Sequence, residues 1–382
     1  MAEQTEGRRP AGRTARAGSV LCLVSDPDLR ARLLTACRDV AVTPDVRAGV
    51  PTAGLWCAAS LVLLDAATAS RVGGLPRRAG VVLVQPDAGG GEPDEQAWRL
   101  AVAAGAEHVV VLPDGAGWLA EALVRAVRPR GRCVGVVGAR GGAGSTATAV
   151  ALATAAAASG RRVLLVDADP LGGGLDLAMG AEELPGVRWH DLHDVRAPLP
   201  AGGLAVALPV ADEVAVLSYG RGQAVVLPGA ARAVVRAGLD EHDLVVLDLP
   251  RAGDEAALAA SGEADVLLCV CPSELRAAAA APAVLRRWGA VAEHHLLVRG
   301  PAPGGLREAD TATAVRAGLD LLATGGPAPS VLARVDVVRA EPGLAAAMER
   351  GEAFGVAARS PLRRWARRWV ADELPGGLLG GA

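Results

Sequence analysis

The chain has 382 residues, of which 51% are hydrophobic, so it can bury a large core and is long enough for two domains. Its 39 basic and 42 acidic residues give a formal net charge of -3, which excludes a general electrostatic attraction to nucleic acid. The single tyrosine and single phenylalanine leave few rings for stacking on bases, so we expect no nucleic-acid partner.

The cysteine and histidine residues do not form a metal-binding pattern. Most of the six cysteines lie in apolar segments, where a thiol packs as a small hydrophobic group. Cys269 and Cys271 would share one face of a strand, and no further ligand at suitable spacing completes a zinc site. His294 and His295 precede a predicted strand and are expected at the surface. No apolar stretch reaches membrane-spanning length, and we expect a cytoplasmic protein.

The first third of the chain predicts a small α/β domain. Residues 1–17 are rich in Gly and Arg and have no periodicity, which predicts a disordered tail. Strand-like runs follow at residues 20–24, 61–64, 81–85 and 109–112, with a weak one at 43–47, and helical stretches lie at 29–40, 97–104 and 118–127. This alternation predicts a parallel-sheet domain over residues 18–128.

The spacing of these strands resembles that of a response-regulator receiver, a CheY-like domain. Asp65 follows the third strand, where a receiver carries its phosphoacceptor, and Asp26 follows the first. Phosphoryl transfer there needs an acidic pair after strand one, a hydroxyl after strand four and a lysine after strand five. The corresponding positions hold Ser25 with Asp26, Gln85, and Leu112 with Pro113. We therefore expect a vestigial pseudo-receiver that serves docking or dimerisation.

The rest of the chain repeats the α/β pattern on a larger scale, after a linker at residues 128–131. Strand-like runs lie at residues 134–137, 163–166, 214–217, 244–247, 266–270 and 295–298. Helical stretches lie between several of them, and a last helix is predicted at 361–374. The pattern predicts a doubly wound α/β domain with a mostly parallel sheet over residues 129–372, and a flexible tail at 373–382.

A glycine-rich turn joins the first of these strands to an alanine-rich helix, which is the arrangement of a P-loop. The backbone N–H groups of such a turn face phosphates, and a Thr at its end can ligate magnesium. The turn supplies these nucleotide-binding candidates: Arg140, Gly141, Gly142, Ala143, Gly144, Ser145 and Thr146.

Two later strands end in aspartates. Asp167 and Asp169 follow the run at 163–166, and Asp248 follows the run at 244–247. Ligands of doubly wound sheets bind outside the carboxyl ends of the strands, so we expect these residues to converge on the glycine-rich turn. Asp248 is then positioned to hold a magnesium-bound water, and the three elements together predict a nucleotide site.

These motifs resemble those of the MinD/ParA family of P-loop ATPases, whose deviant Walker A sequence reads KGGxGK followed by Ser or Thr. The resemblance implies ATP and Mg²⁺ as ligands, with Thr146, Asp167 and Asp248 around the metal. It implies Asp169 and Asp167 as the catalytic residues that place the attacking water. It also adds Arg299 to the nucleotide-binding set.

Two positions depart from the family motif. Arg140 replaces the signature lysine and keeps a cation whose planar fork can pair with phosphate oxygens. Ser145 replaces the P-loop lysine, and the chain contains no lysine that a second copy could supply. An arginine clamp in such sites can be worth about a thousandfold in rate, so the loss of a comparable cation predicts nucleotide binding with slow hydrolysis at best.

Segments outside the motifs resemble the actinobacterial septum site-determining proteins and their relatives, the CpaE-like pilus-assembly ATPases. The segments are residues 186–192, 216–218, 243–251 and 298–306. The resemblance implies a role in septum site selection during cell division, or in the assembly and localisation of Flp/Tad pili. It also implies division or pilus and secretion proteins as partners, and a homodimer that forms on ATP binding.

The last predicted helix carries an apolar stripe that includes Leu362, Trp365 and Trp369, with arginines on its other faces. A basic interfacial helix has this pattern, and MinD relatives bind membranes through a C-terminal amphipathic helix. Peripheral contact with the inner face of the plasma membrane is therefore one prediction. A helix packed on the sheet gives the same stripe, and we favour that interpretation.

Two functional hypotheses remain. The first is a slow ATP-driven switch that positions division or pilus machinery, which the glycine-rich turn and the three aspartates favour. The second is a nucleotide-independent pseudo-ATPase scaffold that acts through its receiver-like domain, which Ser145 favours.

Overall fold

The computed structural model describes residues 19–374 except 79, 88–91, 128–129, 196–198, 200–201, 222–224, 290, 292, 324–331, 342 and 345–359. The chain divides into two compact units, Met1–Arg130 and Gly131–Ala382. The expected disordered tail at 1–17, residues 128–129 of the expected linker and residues 375–382 of the expected flexible tail lie outside the described residues. Glu373, which was expected both in that tail and in the last helix, is the final residue of that helix, and its carboxylate pairs with Arg132 and Arg334.

The first unit contains a parallel sheet with the strand order β2-β1-β3-β4-β5. The strands are β1 (Val20–Leu23), β2 (Asp45–Val46), β3 (Leu61–Leu64), β4 (Val81–Pro86) and β5 (His108–Leu112). The helices are α1 (Pro27–Asp39), α2 (Ala53–Ala58), α3 (Ala66–Ala69), α4 (Glu95–Ala104) and α5 (Ala116–Val127).

Capping residues fix where these helices begin and end. The Asp26 carboxylate accepts the Leu29 N–H at the start of α1, and the Asp94 carboxylate accepts the Ala97 N–H at the start of α4. Gly105 ends α4 in the left-handed conformation, with a φ of 72°. Buried side chains form a core on each face of the sheet, so helices cover both faces.

The second unit contains a larger sheet with the strand order β13-β12-β11-β6-β10-β7-β9-β8. Its strands are β6 (Arg132–Gly138), β7 (Val163–Asp167), β8 (Val210–Ala211), β9 (Val214–Leu217), β10 (Leu244–Leu249), β11 (Val266–Pro272), β12 (Glu293–Gly300) and β13 (Arg334–Arg339). Its helices are α6 (Ser145–Ala157), α7 (Leu175–Met179), α8 (Trp189–Leu192), α9 (Gly203–Ala207), α10 (Pro228–Glu241), α11 (Glu255–Ser261), α12 (Leu275–Arg287), α13 (Glu308–Ala323) and α14 (Pro361–Glu373).

This sheet lies between two helical layers. One core joins α10, α11, α12 and α13 to one face of the sheet, and the other joins α6, α7 and α14 to the opposite face. All strand pairs are parallel except the pair of β8 with β9. The central strands are buried on both faces, which explains why they are continuous apolar runs in the sequence.

The C-terminal helix α14 packs against α6 inside the second core. Leu362, Trp365 and Trp369 are each at most 1% exposed, and the Trp365 Nε1–H donates to Asp336 Oδ2 at 2.9 Å. The packing interpretation is therefore confirmed, and the expected membrane contact through these three side chains is wrong, because the core already covers them. No helix in the described part of the chain is both long enough and apolar enough to span a membrane.

The surface position expected for His294 and His295 is also wrong. Both histidines lie in β12, which pairs with β11 on one side and β13 on the other. They are 4% and 2% exposed. The sequence analysis did not predict β13, whose pairing with β12 helps to bury this segment.

Candidate nucleotide-binding site

The glycine-rich turn lies between β6 and α6, at the carboxyl edge of the second sheet. Gly142 and Gly144 adopt φ values of 70° and 91°, a region that side chains with a Cβ rarely enter. Gly144 is the N-cap of α6 and offers no capping side chain. The first N–H groups of α6 therefore have no intrahelical or capping partner, and a phosphate can satisfy them.

The aspartates expected near this turn are neighbours. Asp167 ends β7 and Asp248 lies in β10, and the two residues are register partners across the adjacent strands. Burial raises the pKa of Asp248 to about 7, although a hydrogen bond from the Thr146 side chain lowers it. Asp167 and Asp169 raise the same pKa further by repulsion. The structure thus brings Thr146 at the P-loop together with the aspartates after β7 and in β10.

Asp167 is anchored by several hydrogen bonds at the start of the β7–α7 turn. Its carboxylate accepts the N–H groups of Asp169 and Leu175, each at 3.1 Å, and the Ser218 hydroxyl at 3.2 Å. Burial nevertheless raises the pKa of Asp167 to about 6. Because these carboxyl groups are crowded and poorly solvated, a bound cation would stabilise their ionised forms.

The donor set fits magnesium bound together with a nucleotide. Within the described residues, no three carboxylate, imidazole or thiol groups are close enough to hold a metal ion by themselves. A magnesium ion in a nucleotide site does not need such a cluster, because it takes one or two protein oxygens and completes its shell with phosphate oxygens and water. Thr146 and Asp248 supply one hydroxyl and one carboxylate of that kind.

Arg140 is held by a carboxylate of the same chain. Its guanidinium donates from Nε to Glu274 Oε2 at 2.7 Å and from Nη2 to Glu274 Oε1 at 2.6 Å. A third bond runs from Nη1 to the carbonyl of Gly141 at 2.6 Å. The Arg140 guanidinium, to which the resemblance assigns phosphate binding, therefore pairs with Glu274. The sequence analysis missed Glu274.

Arg299 reaches the turn from the end of β12. Its Nη1 donates to the carbonyl of Ala143 at 2.9 Å, and its guanidinium fills the space that a Cβ on Gly144 would need. Ser145 begins α6 and contributes only a short hydroxyl side chain. Among the expected nucleotide-binding residues, Arg299 thus contacts the turn from another strand, and Arg140 bonds to the carbonyl of Gly141 within the turn. Asp248 lies beside Thr146.

Two further residues near the site were missed, one directly after β9 and one in α8. Ser218 comes directly after β9, and its hydroxyl bridges Asp167 and Asp176, at 3.2 Å from each. The Trp189 indole N–H donates to the backbone carbonyl of Asp167 at 2.7 Å. The position of Ser218 after an apolar strand was a signal that could have revealed it, whereas the Trp189 contact has no counterpart in the local sequence.

The receiver-like unit uses its expected phosphoacceptor for internal hydrogen bonds. Asp65 is 5% exposed; its Oδ2 accepts the N–H groups of Ser25 and Asp26, and its Oδ1 accepts the N–H and hydroxyl of Thr68. Burial alone would raise the pKa of Asp65, but these hydrogen bonds outweigh it and lower the pKa. The Asp26 side chain caps α1 instead of pairing with Asp65 around a cation.

Comparisons with known proteins agree with this division of the chain. Residues 23–133 match the family described as "Rv3660c-like, CheY-like N-terminal domain". Residues 134–267 match the family described as "CobQ/CobB/MinD/ParA nucleotide binding domain". The protein Rv3660c of Mycobacterium tuberculosis (strain ATCC 25618 / H37Rv) is 38% identical over 329 residues, which cover 84% of this chain and 87% of that protein.

Two solved structures share the fold of the second unit. The ParA family ATPase from Chlorobium tepidum TLS superposes with a TM-score of 0.52 at 16% identity and covers 63% of this chain and 97% of its own. The septum site-determining protein MinD from Pyrococcus horikoshii OT3, solved with Mg-ADP, gives a TM-score of 0.50 at 17% identity, with 63% and 95% coverage.

The fold and the site define an α/β protein in which a CheY-like domain precedes a MinD/ParA-type P-loop domain with a mostly parallel sheet, which confirms the expected fold class. The chain belongs to the Rv3660c-like family, as its match to the mycobacterial relative over most of both lengths shows.

Proposed function

We propose that this protein is a MinD/CpaE-like regulator that binds ATP with Mg²⁺ and hydrolyses it weakly or not at all. The observation that carries the proposal is the glycine-rich turn at the end of β6 together with Asp248 in the neighbouring strand β10 and its register partner Asp167 at the same edge of the sheet. Structural glycines alone would not require a buried carboxylate beside the turn, because such a group is costly unless it serves a ligand.

Each site residue has a role in this proposal. The backbone of residues 140–146 and the side chain of Arg299 hold the phosphates, and Thr146, Asp167 and Asp248 hold the metal ion. Magnesium supplies charge neutralisation at the phosphates. Asp169, together with Asp167, orients the attacking water where hydrolysis occurs. Turnover is slow because Ser145 gives no cation to the transferred phosphoryl group.

Calorimetric titration with Mg-ATP tests the proposal. We expect the Asp248→Ala and Thr146→Ala variants to weaken binding and to reduce its dependence on magnesium. Asp320→Ala is the matched control. This exposed residue lies near the end of α13, at the edge of the parallel sheet opposite to the glycine-rich turn, so its loss should not affect binding. Absence of binding by the unmodified protein at millimolar nucleotide would overturn the proposal.

The proposed cellular role is septum site selection or the assembly and localisation of Flp/Tad pili, with a homodimer formed on ATP binding. Similarity to septum site-determining and CpaE-like proteins supports this role. The free cysteines support a cytoplasmic setting. Imaging of septum spacing and of surface pili in a deletion strain distinguishes the two roles, since each predicts a defect in only one of these structures.

A second candidate is a pseudo-ATPase scaffold that works without nucleotide. Ser145 favours it, as does the pairing of Arg140 with Glu274, because both remove positive charge from the phosphate site. This candidate predicts that nucleotide neither binds nor changes the oligomeric state. Sedimentation velocity with and without Mg-ATP, together with the titration above, separates it from the switch.

A further inference from the structure

A nucleoside triphosphate brings several negative charges to the P-loop, and this turn lacks its usual source of positive charge. The position before Thr146 holds Ser145, and the chain contains no lysine. The dipole of α6 and its free N–H groups provide only a partial charge of about +0.5. Beyond the charge of a bound magnesium ion, tight binding of a triphosphate through this site would use a cation from elsewhere in the chain.

Arg140 does not meet this need, because its charge is already neutralised. Both oxygens of Glu274 accept hydrogen bonds from its guanidinium, and the side chains are about equally accessible, at 36% and 34% exposed. A phosphate would have to displace a carboxylate to reach this fork.

Arg299 is in a different electrostatic state. No carboxylate oxygen lies within 4 Å of its guanidinium among the residues that the structure describes. Its Nε is buried and has no hydrogen-bond partner in the same part of the chain. Glu341 exerts a favourable charge effect, but its carboxylate accepts the Ser360 hydroxyl at 2.7 Å. Arg299 is thus a poorly solvated cation whose bonded partner is a neutral carbonyl.

The position of this cation relates it directly to the phosphate loop. The guanidinium lies against Gly144, the residue just before Ser145, and it bonds to the carbonyl of Ala143. Burial lowers the pKa of Arg299, but an arginine remains charged at neutral pH. An anion at the turn would relieve the cost of burying this charge without a directly bonded counter-charge.

We propose that Arg299 provides, from the end of β12, the phosphate-neutralising charge that Ser145 does not provide. This inference rests on the proposed function, since it concerns how the same site holds a polyphosphate. The cation would come from β12, which is separated from β6 in the sheet by β11. The P-loop cation is then supplied by a separate element of the chain, and Arg299 is a phosphate-binding residue.

The test is a set of calorimetric titrations with Mg-ATP, Mg-ADP, AMP and inorganic tripolyphosphate. We expect Arg299→Gln to weaken Mg-ATP binding by about tenfold to a hundredfold, the effect of losing a charged hydrogen bond. The loss should shrink from ATP to ADP to AMP, and tripolyphosphate should lose affinity like ATP. Arg316→Gln, which changes an exposed arginine of α13, is the matched control and should bind like the unmodified protein.

A rescue variant separates a charge role from a structural one. If Arg299 replaces the missing lysine, adding Ser145→Lys to Arg299→Gln should restore most of the lost affinity for ATP and tripolyphosphate. A role in holding the turn would not be restored by a lysine at position 145. Unchanged binding in Arg299→Gln, equal losses across ATP, ADP and AMP, or failure of the rescue would each overturn the inference.

The same titrations distinguish failure of the inference from failure of the proposed function. If the unmodified protein binds tripolyphosphate in an Arg299-dependent way but does not bind ATP, the charge assignment stands and the nucleotide proposal falls. If it binds ATP and the Arg299→Gln variant binds equally well, the nucleotide proposal stands and the inference falls. If it binds neither probe, both are wrong.

Discussion

Arg140 and Glu274 form a two-point ion pair that ties the glycine-rich turn to the start of α12, with donor–acceptor distances of 2.7 and 2.6 Å. The two residues are 134 positions apart in the sequence, so only the folded chain brings them together. Glu274 is the N-cap residue of α12, but its side chain caps no helix N–H and turns to Arg140 instead. The pair therefore competes with any phosphate for the same guanidinium.

Replacement of Glu274 by glutamine should strengthen nucleotide binding. The variant keeps the shape of the side chain but removes the charge that neutralises Arg140. Because the pair is about one-third exposed, its worth is at most about 1 kcal/mol, so we expect the Kd for Mg-ATP to fall by up to about fivefold. Calorimetric titration measures this change.

Glu121→Gln is the control for the Glu274 variant, because it breaks an exposed glutamate–arginine pair within α5 of the receiver-like unit. It should leave the affinity for Mg-ATP unchanged. Weaker binding by Glu274→Gln would contradict the prediction, since it would mean that the ion pair shapes the turn for its ligand.

Trp369 should contribute strongly to the stability of the second unit. Its ring is fully buried between α14 and the sheet, near His295. Truncation of a buried tryptophan to alanine costs about 3–5 kcal/mol, so Trp369→Ala should lower the free energy of unfolding by that amount. Urea denaturation followed by circular dichroism measures the effect.

Two further variants test the reason for this effect. Trp369→Phe keeps most of the apolar surface and removes an indole N–H that has no partner in the described structure, so its cost should be small. Arg368→Ala changes an exposed neighbour on α14 and should cost less than about 0.5 kcal/mol. If Trp369→Ala unfolded no more easily than Arg368→Ala, the packed position of α14 would be wrong.

The central strands could be predicted from the sequence because they are buried on both faces. The apolar runs within β6, β7 and β10 are followed by Gly138, Asp167 and Asp248, which locates both the sheet and its ligand-binding edge. The glycine-rich turn and its three associated aspartates therefore came from local patterns alone.

Edge strands and long-range contacts could not be predicted in this way. The segment of β13 alternates arginine, valine and aspartate and is only partly buried, so its composition does not distinguish a strand from a loop. The contact of Arg299 with Ala143 and the pairing of Arg140 with Glu274 depend on the order of strands in the sheet. Local sequence patterns identify these residues but do not predict which of them are in contact.

Asp65 should not accept a phosphoryl group. Both of its carboxylate oxygens already accept hydrogen bonds from backbone N–H groups, one from the β1–α1 turn and the other from α3, and the residue is buried. Attack on a phosphodonor would require these bonds to break, and the sequence provides no lysine to stabilise the product. Incubation with acetyl phosphate and Mg²⁺ should leave the intact mass unchanged. A mass increase of one phosphoryl group that Asp65→Asn abolishes would refute this prediction.

His294 and His295 should make the protein less stable in weak acid. Burial lowers the pKa of each to about 4, and the charges of Arg334 and Arg132 lower that of His295 further, against the opposing effect of Asp336. In the unfolded chain both pKa values return to about 6.5. Between about pH 6.5 and pH 4 the unfolded state therefore binds more protons at these two histidines than the folded state does, so their contribution to the free energy of unfolding falls as the pH falls. Asp167 and Asp248, whose pKa values are raised by burial, contribute in the opposite direction.

Urea denaturation at several pH values measures the slope of the free energy of unfolding against pH, and His295→Phe should lower this slope by the contribution of one histidine. The Phe ring suits the buried position beside Trp369, and the variant removes one of the two titrating groups. His190→Gln is the control, because the His190 side chain is 54% exposed and its removal should leave the slope unchanged. If His295→Phe had the same slope as the unmodified protein, His295 would not contribute to the pH dependence of stability, and the prediction would be wrong.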